Sequence, residues 1–176
     1  MTDNSVPGAS AGAPQDNSPD ENGIVPWCEI TVTISTSSGD REVQGLVHPL
    51  VAGLAVTSQH LGLFDVTHLA SGKLIAKGYQ RMWGAVLVAA EYALCADWTR
   101  DATALAAELE RTKDEPCGNP AAKSISLGVE RQMTKGELVS MLRGDIPSLD
   151  EFPWEDESPM SQSYKLLKIL EEKSRV

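Results

Sequence analysis

No lysine, arginine or aromatic residue occurs in the first 26 positions, the whole chain has only three cysteines, and aromatics are 5% of its 176 residues. Each shortage excludes something. Cys28, Cys95 and Cys117 are scattered and none belongs to a CxxC pair, so they read as reduced thiols rather than a disulfide framework. The longest apolar run, residues 85–90, stops at Glu91, far short of the ~20 residues that cross a bilayer. The start of the chain has neither a basic stretch nor an apolar segment of secretory type, and a cytoplasmic protein with no membrane partner is expected. Bases are outnumbered by acids, 15 to 25, for a net charge of −10. Nucleic acid is held mainly by clustered cations that release counterions, so direct nucleic-acid binding is not expected.

Recognisable chemical motifs are also missing. The sequence has no GxxxxGK[ST] phosphate loop, no GxGxxG after a strand, no HExxH and no GxSxG elbow. No cofactor is therefore expected. His48, His60 and His68 match no metal-ligand spacing, and His48 before a proline and His68 near a hairpin read as surface imidazoles, so no metal is expected either. Cys95 reads as a small core residue and Cys117 as a loop thiol. The acids Asp97, Asp101, Glu108 and Glu110 are best explained by helix ends and solvated faces. No catalytic residue is assigned.

What the sequence does contain divides it. Residues 1–26, with Pro7, Pro14, Pro19 and Pro26 and four acids, cannot bury enough apolar surface to offset the cost of ordering a backbone, and a disordered tail is expected. An α+β core is expected over 27–144. Ile30, Val32 and Ile34 alternate with polar residues as in a half-buried strand, and residues 37–40 read as a hairpin turn. Further strands are expected at 42–47, 53–58, 63–69 and 74–77, and an uncertain one at 125–129.

From Tyr79 the apolar period lengthens. Trp83, Val86, Leu87, Ala90, Leu94 and Trp98 follow helical spacing, which predicts a long, nearly apolar helix laid across the sheet. Shorter helices are predicted from Thr99 or Asp101 to Glu110 and over 135–142, with Thr134 as cap and Gly144 as stop. The fold class is thus α+β: an antiparallel sheet of about four to five strands packed by a long apolar helix. Residues 160–173 predict an amphipathic helix with Met160, Tyr164, Leu167 and Leu170 on one side, a face through which a homodimer could form.

The segment between these helices carries the leading functional expectation. Residues 145–157 hold six acids and no base, with Phe152 and Trp154 among them. Rings supply buried area in an interface and acids steer the encounter, so Asp150, Glu151, Phe152, Trp154, Glu155, Asp156 and Glu157 form the candidate surface for a basic protein partner. The alternative is a lid whose rings pack back on the protein's own core.

The run from Phe64 to Leu74, Phe64-Asp65-Val66-Thr67-His68-Leu69-Ala70-Ser71-Gly72-Lys73-Leu74, followed by a helix ending at Asp97-Trp98, resembles a strand-hairpin-helix unit of uncharacterised phage, plasmid and bacterial proteins. The resemblance covers roughly residues 53–98 and implies no activity or site residues. The functional expectation is a non-enzymatic, acidic accessory or inhibitor protein of a mobile element that occupies a basic site on its target. An immunity protein against a basic toxin, or a small enzyme using His68 or Cys117, are the competing readings.

Overall fold

The alternation of Ile30, Val32 and Ile34 builds β1 (Cys28–Thr36), which turns at Ser37 and Ser38 into β2 (Gly39–Val47). The hairpin pairs in full register from Cys28 opposite Val47 to Thr36 opposite Gly39. Then follow β3 (Leu54–His60), β4 (Leu63–His68) and β5 (Lys73–Tyr79), giving one antiparallel sheet in sequence order. This computed structural model describes residues 25–60, 62–126, 129–144 and 157–175. The disordered tail expected over 1–26 falls outside them except for its last two residues, and Val25 is tied down: its carbonyl accepts from His48 Nε2 at 2.7 Å.

The sheet is buried on both faces at its centre, where Leu54 to Thr57 and Asp65 to His68 are buried without a break. Leu54, Val56, Val66 and Ala76 join the main core. Neighbouring side chains on a strand point oppositely, and Ala55 accordingly belongs to a second cluster with Val32, Ile34 and Val43. The apolar face of β1 thus packs on that second cluster and not under the long helix. The sheet curls to make this possible: Ser35 N–H, at the end of β1, donates to the Gly72 carbonyl in the β4–β5 turn at 2.9 Å. Gly72 has φ of +62°, and a Cβ there would lie 2.8 Å from Thr33 O, so the contact depends on glycine.

α1 (Met82–Ala93) lies against β3, β4 and β5, with every residue from Gly84 to Ala90 buried. It ends earlier than the apolar period predicts. Trp98 returns to the core through a turn, and its indole Nε1–H donates to Tyr92 O at 2.6 Å, a carbonyl at the helix end. Trp83, on the apolar stripe of the sequence, is half-buried, and its ring is tilted against that of Tyr164 with 6.1 Å between centroids.

α2 (Ala102–Thr112) is capped by Asp101, whose Oδ1 accepts from Thr103 N at 2.9 Å and Ala104 N at 3.0 Å. The single strand expected at 125–129 is instead a hairpin of β6 (Lys123–Ser126) and β7 (Val129–Gln132). Ile125 there is 79% exposed, so its apolar character marks no core. α3 (Lys135–Gly144) opens with a reciprocal cap: Glu137 N–H donates to Thr134 Oγ1, and Thr134 N–H donates to Glu137 Oε2.

α4 (Pro159–Ser174) packs along α1, burying Pro159, Ser163, Leu166, Leu167 and Leu170. Met160 is exposed, contrary to the stripe expected from the sequence. Of the face that prompted a homodimer through this helix, Leu167 and Leu170 are buried within the chain and Tyr164 is half-buried.

Candidate functional site

Of the seven residues expected to bind a partner, Asp150, Glu151, Phe152, Trp154, Glu155 and Asp156 lie outside the described residues. Glu157 is described. It directly precedes Ser158, the α4 cap, whose Oγ accepts from Ser161 N at 3.2 Å. The Glu157 carboxylate pairs with Lys165 at 2.5 Å and its carbonyl accepts from Gln162 Nε2 at 2.7 Å. The first turns of α4 therefore fix the end of the acidic stretch.

Glu157 also stands at the rim of a cleft of about 380 Å³ between α1, α4 and the loop around Asn119. Leu87, Leu166 and Ile169 form its apolar wall, and Glu91 lies within it. Glu91 is the one charged residue of α1. Helical spacing places it four residues after Leu87, on the same face and toward α4. Asn119 Nδ2 donates to Glu91 Oε1 at 2.8 Å, while Oε2 is buried with no hydrogen-bond partner among the described residues. Burial, only partly offset by Asn119, pushes the Glu91 carboxyl up to about 7. Motif and period do not single this residue out. Its one signal in the sequence is that of a lone acid in an otherwise uncharged helix.

His48 and His68 are not surface imidazoles, being 2% and 1% exposed. Leu50 N–H donates to His48 Nδ1 at 3.1 Å, so Nε2 carries the proton given to Val25 O. Burial lowers the His48 pKa, and the bond to Val25 opposes that only in part. His68 sits at 2.8 Å from Ser71 Oγ through Nδ1, and at 2.9 and 3.0 Å from the Trp98 and Arg100 carbonyls through Nε2. It ties β4 to the segment after α1. The His60 side chain lies outside the described residues, and no metal-binding group of three His, Cys, Asp or Glu occurs among the residues described.

Cys95 and Cys117 are both buried. Burial pushes the Cys95 thiol up to about 12 and raises that of Cys117 as well, which disfavours the thiolate a nucleophile needs. Cys117 is thus a loop thiol, as the sequence suggests, but one turned into the core. Asp97 holds the turn after α1, accepting from Thr99 N and Arg100 Nε, and Glu110 pairs with Lys113 at 2.5 Å. These acids organise helix ends.

The charge is divided sharply along the chain. All fifteen basic residues lie among the described residues, together with sixteen acids. The other nine acids fall in two base-free stretches, four in 1–24 and five in 145–156. The described residues are together close to neutral. No helix among the described residues is long and apolar enough to cross a membrane. Compared with protein-family models, curated proteins and solved structures, the chain shows no match.

Proposed function

We propose that this is a non-enzymatic, cytoplasmic binding protein whose acidic stretch at 145–157 docks on a protein with a basic surface. The supporting observation is the charge division: nine acids lie in two base-free stretches of sequence, while sixteen acids and fifteen bases nearly cancel over the described residues. Acids spread evenly over a fold mainly confer solubility, whereas acids concentrated in one stretch create a local field that accelerates encounter with a cationic patch. Glu157, the last acid of that stretch, is held at the start of α4 by Gln162 and Lys165.

The enzymatic alternative is the weaker reading, because the residues it would use already have structural roles. His68 spends both ring nitrogens on Ser71 and two backbone carbonyls, and Cys117 is a buried thiol whose pKa is raised. The proposal extends to an accessory or inhibitor role, with the mobile-element setting taken from the resemblance over residues 53–98 and the role itself from the acidic stretch.

Affinity capture with the wild-type chain, and with a variant carrying Asp150→Asn, Glu151→Gln, Glu155→Gln, Asp156→Asn and Glu157→Gln, tests the docking role. A stoichiometric basic protein retained by the first and lost by the second is expected. Equal retention by both, or co-purification of a metabolite turned over by the protein, would contradict it.

A further inference from the structure

The Glu91 cleft is independent of the acidic stretch and has its own unmet chemistry. Its size, about 380 Å³, falls within the range of small-molecule sites, which pair apolar walls with a few convergent polar groups. Here the walls are Leu87, Leu166 and Ile169, and the convergent group is the Glu91 carboxyl.

Asn119 does not complete that carboxyl: its Nδ2 donates to Glu91 Oε1, and its Oδ1, which accepts from Ala121 N at 2.9 Å, fixes the orientation of the amide. Oε2 is left buried with no partner among the described residues. At the rim Glu157 and Lys165 neutralise each other at 2.5 Å. Among the described residues the charge left in the cleft is that of Glu91, which matches one positive group on a ligand. A lone carboxylate oxygen among aliphatic walls is a poor site for a hydrated metal ion, whose shell asks for several oxygen ligands. It suits a ligand that carries its cation on an apolar body, since a charge-assisted N–H···O⁻ bond satisfies the oxygen while the body covers the walls.

We propose that the cleft between α1 and α4 binds a small organic amine, a monocation with an alkyl or aryl body, through an ammonium hydrogen bond to Glu91 Oε2. The ammonium favours the ionised carboxyl, so binding near neutral pH displaces the Glu91 proton to solvent. The other titratable groups around Glu91 do not take over this role. Glu157 and Lys165 are paired with each other, and burial raises the pKa of both Cys95 and Cys117, which keeps these thiols neutral.

The experiment is an NMR titration of the full chain with 2-phenylethylamine, 2-phenylethanol and 3-phenylpropanoate, which share a body and differ in charge. The amine is expected to saturate one site with shifts at Leu87, Asn119, Ala121 and Leu166, and to bind at least about tenfold more tightly than the alcohol. The carboxylate should not bind. Glu91→Gln, checked for folding by its amide spectrum, should lose at least about tenfold in amine affinity. In the wild type, the titration midpoint of the Glu91 carboxyl, followed by its carbon shift, should fall when the amine is present. The proposal is overturned if the amine shows no saturation, if the alcohol binds as well, or if the Glu91 midpoint does not move.

Discussion

Asn119 Nδ2 donates to Glu91 Oε1 at 2.8 Å, and among the described residues this bond is the side-chain tie between the 113–122 loop and the acid of the central helix. It partly offsets the burial of Glu91 but leaves its carboxyl at about 7, above the ordinary 4.5. A raised acid pKa in the folded state means that the native protein holds a proton the unfolded chain has released. This contribution to stability is present below the unfolded pKa and is lost as pH rises through about 7.

Replacing Glu91 with Gln keeps the shape and removes the charge. The variant should match wild type near pH 5 and exceed it near pH 8 by on the order of 2 kcal/mol, since a tenfold change in a proton-binding equilibrium corresponds to about 1.4 kcal/mol. Urea unfolding at the two pH values checks this. A variant less stable than wild type at pH 8 would show that the Glu91 charge is compensated.

Leu87 is 3% exposed and joins the main core beneath α4. Leu87→Ala should cost about 2–5 kcal/mol, the range for removing a buried leucine without full collapse of the cavity. Chemical denaturation measures it. A cost below about 0.5 kcal/mol would mean that this face of α1 relaxes freely or is not packed.

His68 acts as a structural crosslink. His68→Ala frees the Trp98 and Arg100 carbonyls and should lower stability by about 1–3 kcal/mol. A chelator should leave the wild-type melting temperature unchanged. A chelator-sensitive midpoint abolished by the same substitution would make His68 a metal ligand instead.

The parts of this fold legible in the sequence are those where one residue period dominates. β1 and α1 announce themselves because Val32 and Ile34, or Val86, Leu87 and Ala90, recur at spacings set by strand and helix geometry. Asp101 and Thr134 are equally readable, since a cap needs only a short side-chain oxygen at the right place. The β6–β7 hairpin is not, because it lies largely exposed and its residues carry little apolar alternation. The buried state of His48 and His68 is hidden for a different reason. Beside the local contacts to Leu50 and Ser71, their Nε2 partners are backbone carbonyls of Val25, Trp98 and Arg100, brought near by tertiary folding, and carbonyls leave no mark in a residue pattern. Glu91 shows the same limit: its isolation in an apolar helix is visible, but Asn119, 28 residues further on, is not.

The charge division makes the most exposed claim. The protein captured by the wild-type chain should associate with it at a rate that falls steeply between about 0.05 and 0.5 M salt, as screening shortens the reach of the acidic stretch. The variant with Asn or Gln at positions 150, 151, 155, 156 and 157 should associate slowly and almost independently of salt. Trp154→Ala should leave association nearly unchanged and speed dissociation by about tenfold or more, the loss expected for an anchoring ring. Stopped-flow association of the two variants and wild type across that salt range is the most direct measurement. Convergence of the neutral variant and wild type at high salt is the predicted result; association rates that are the same for both at every ionic strength would contradict the account.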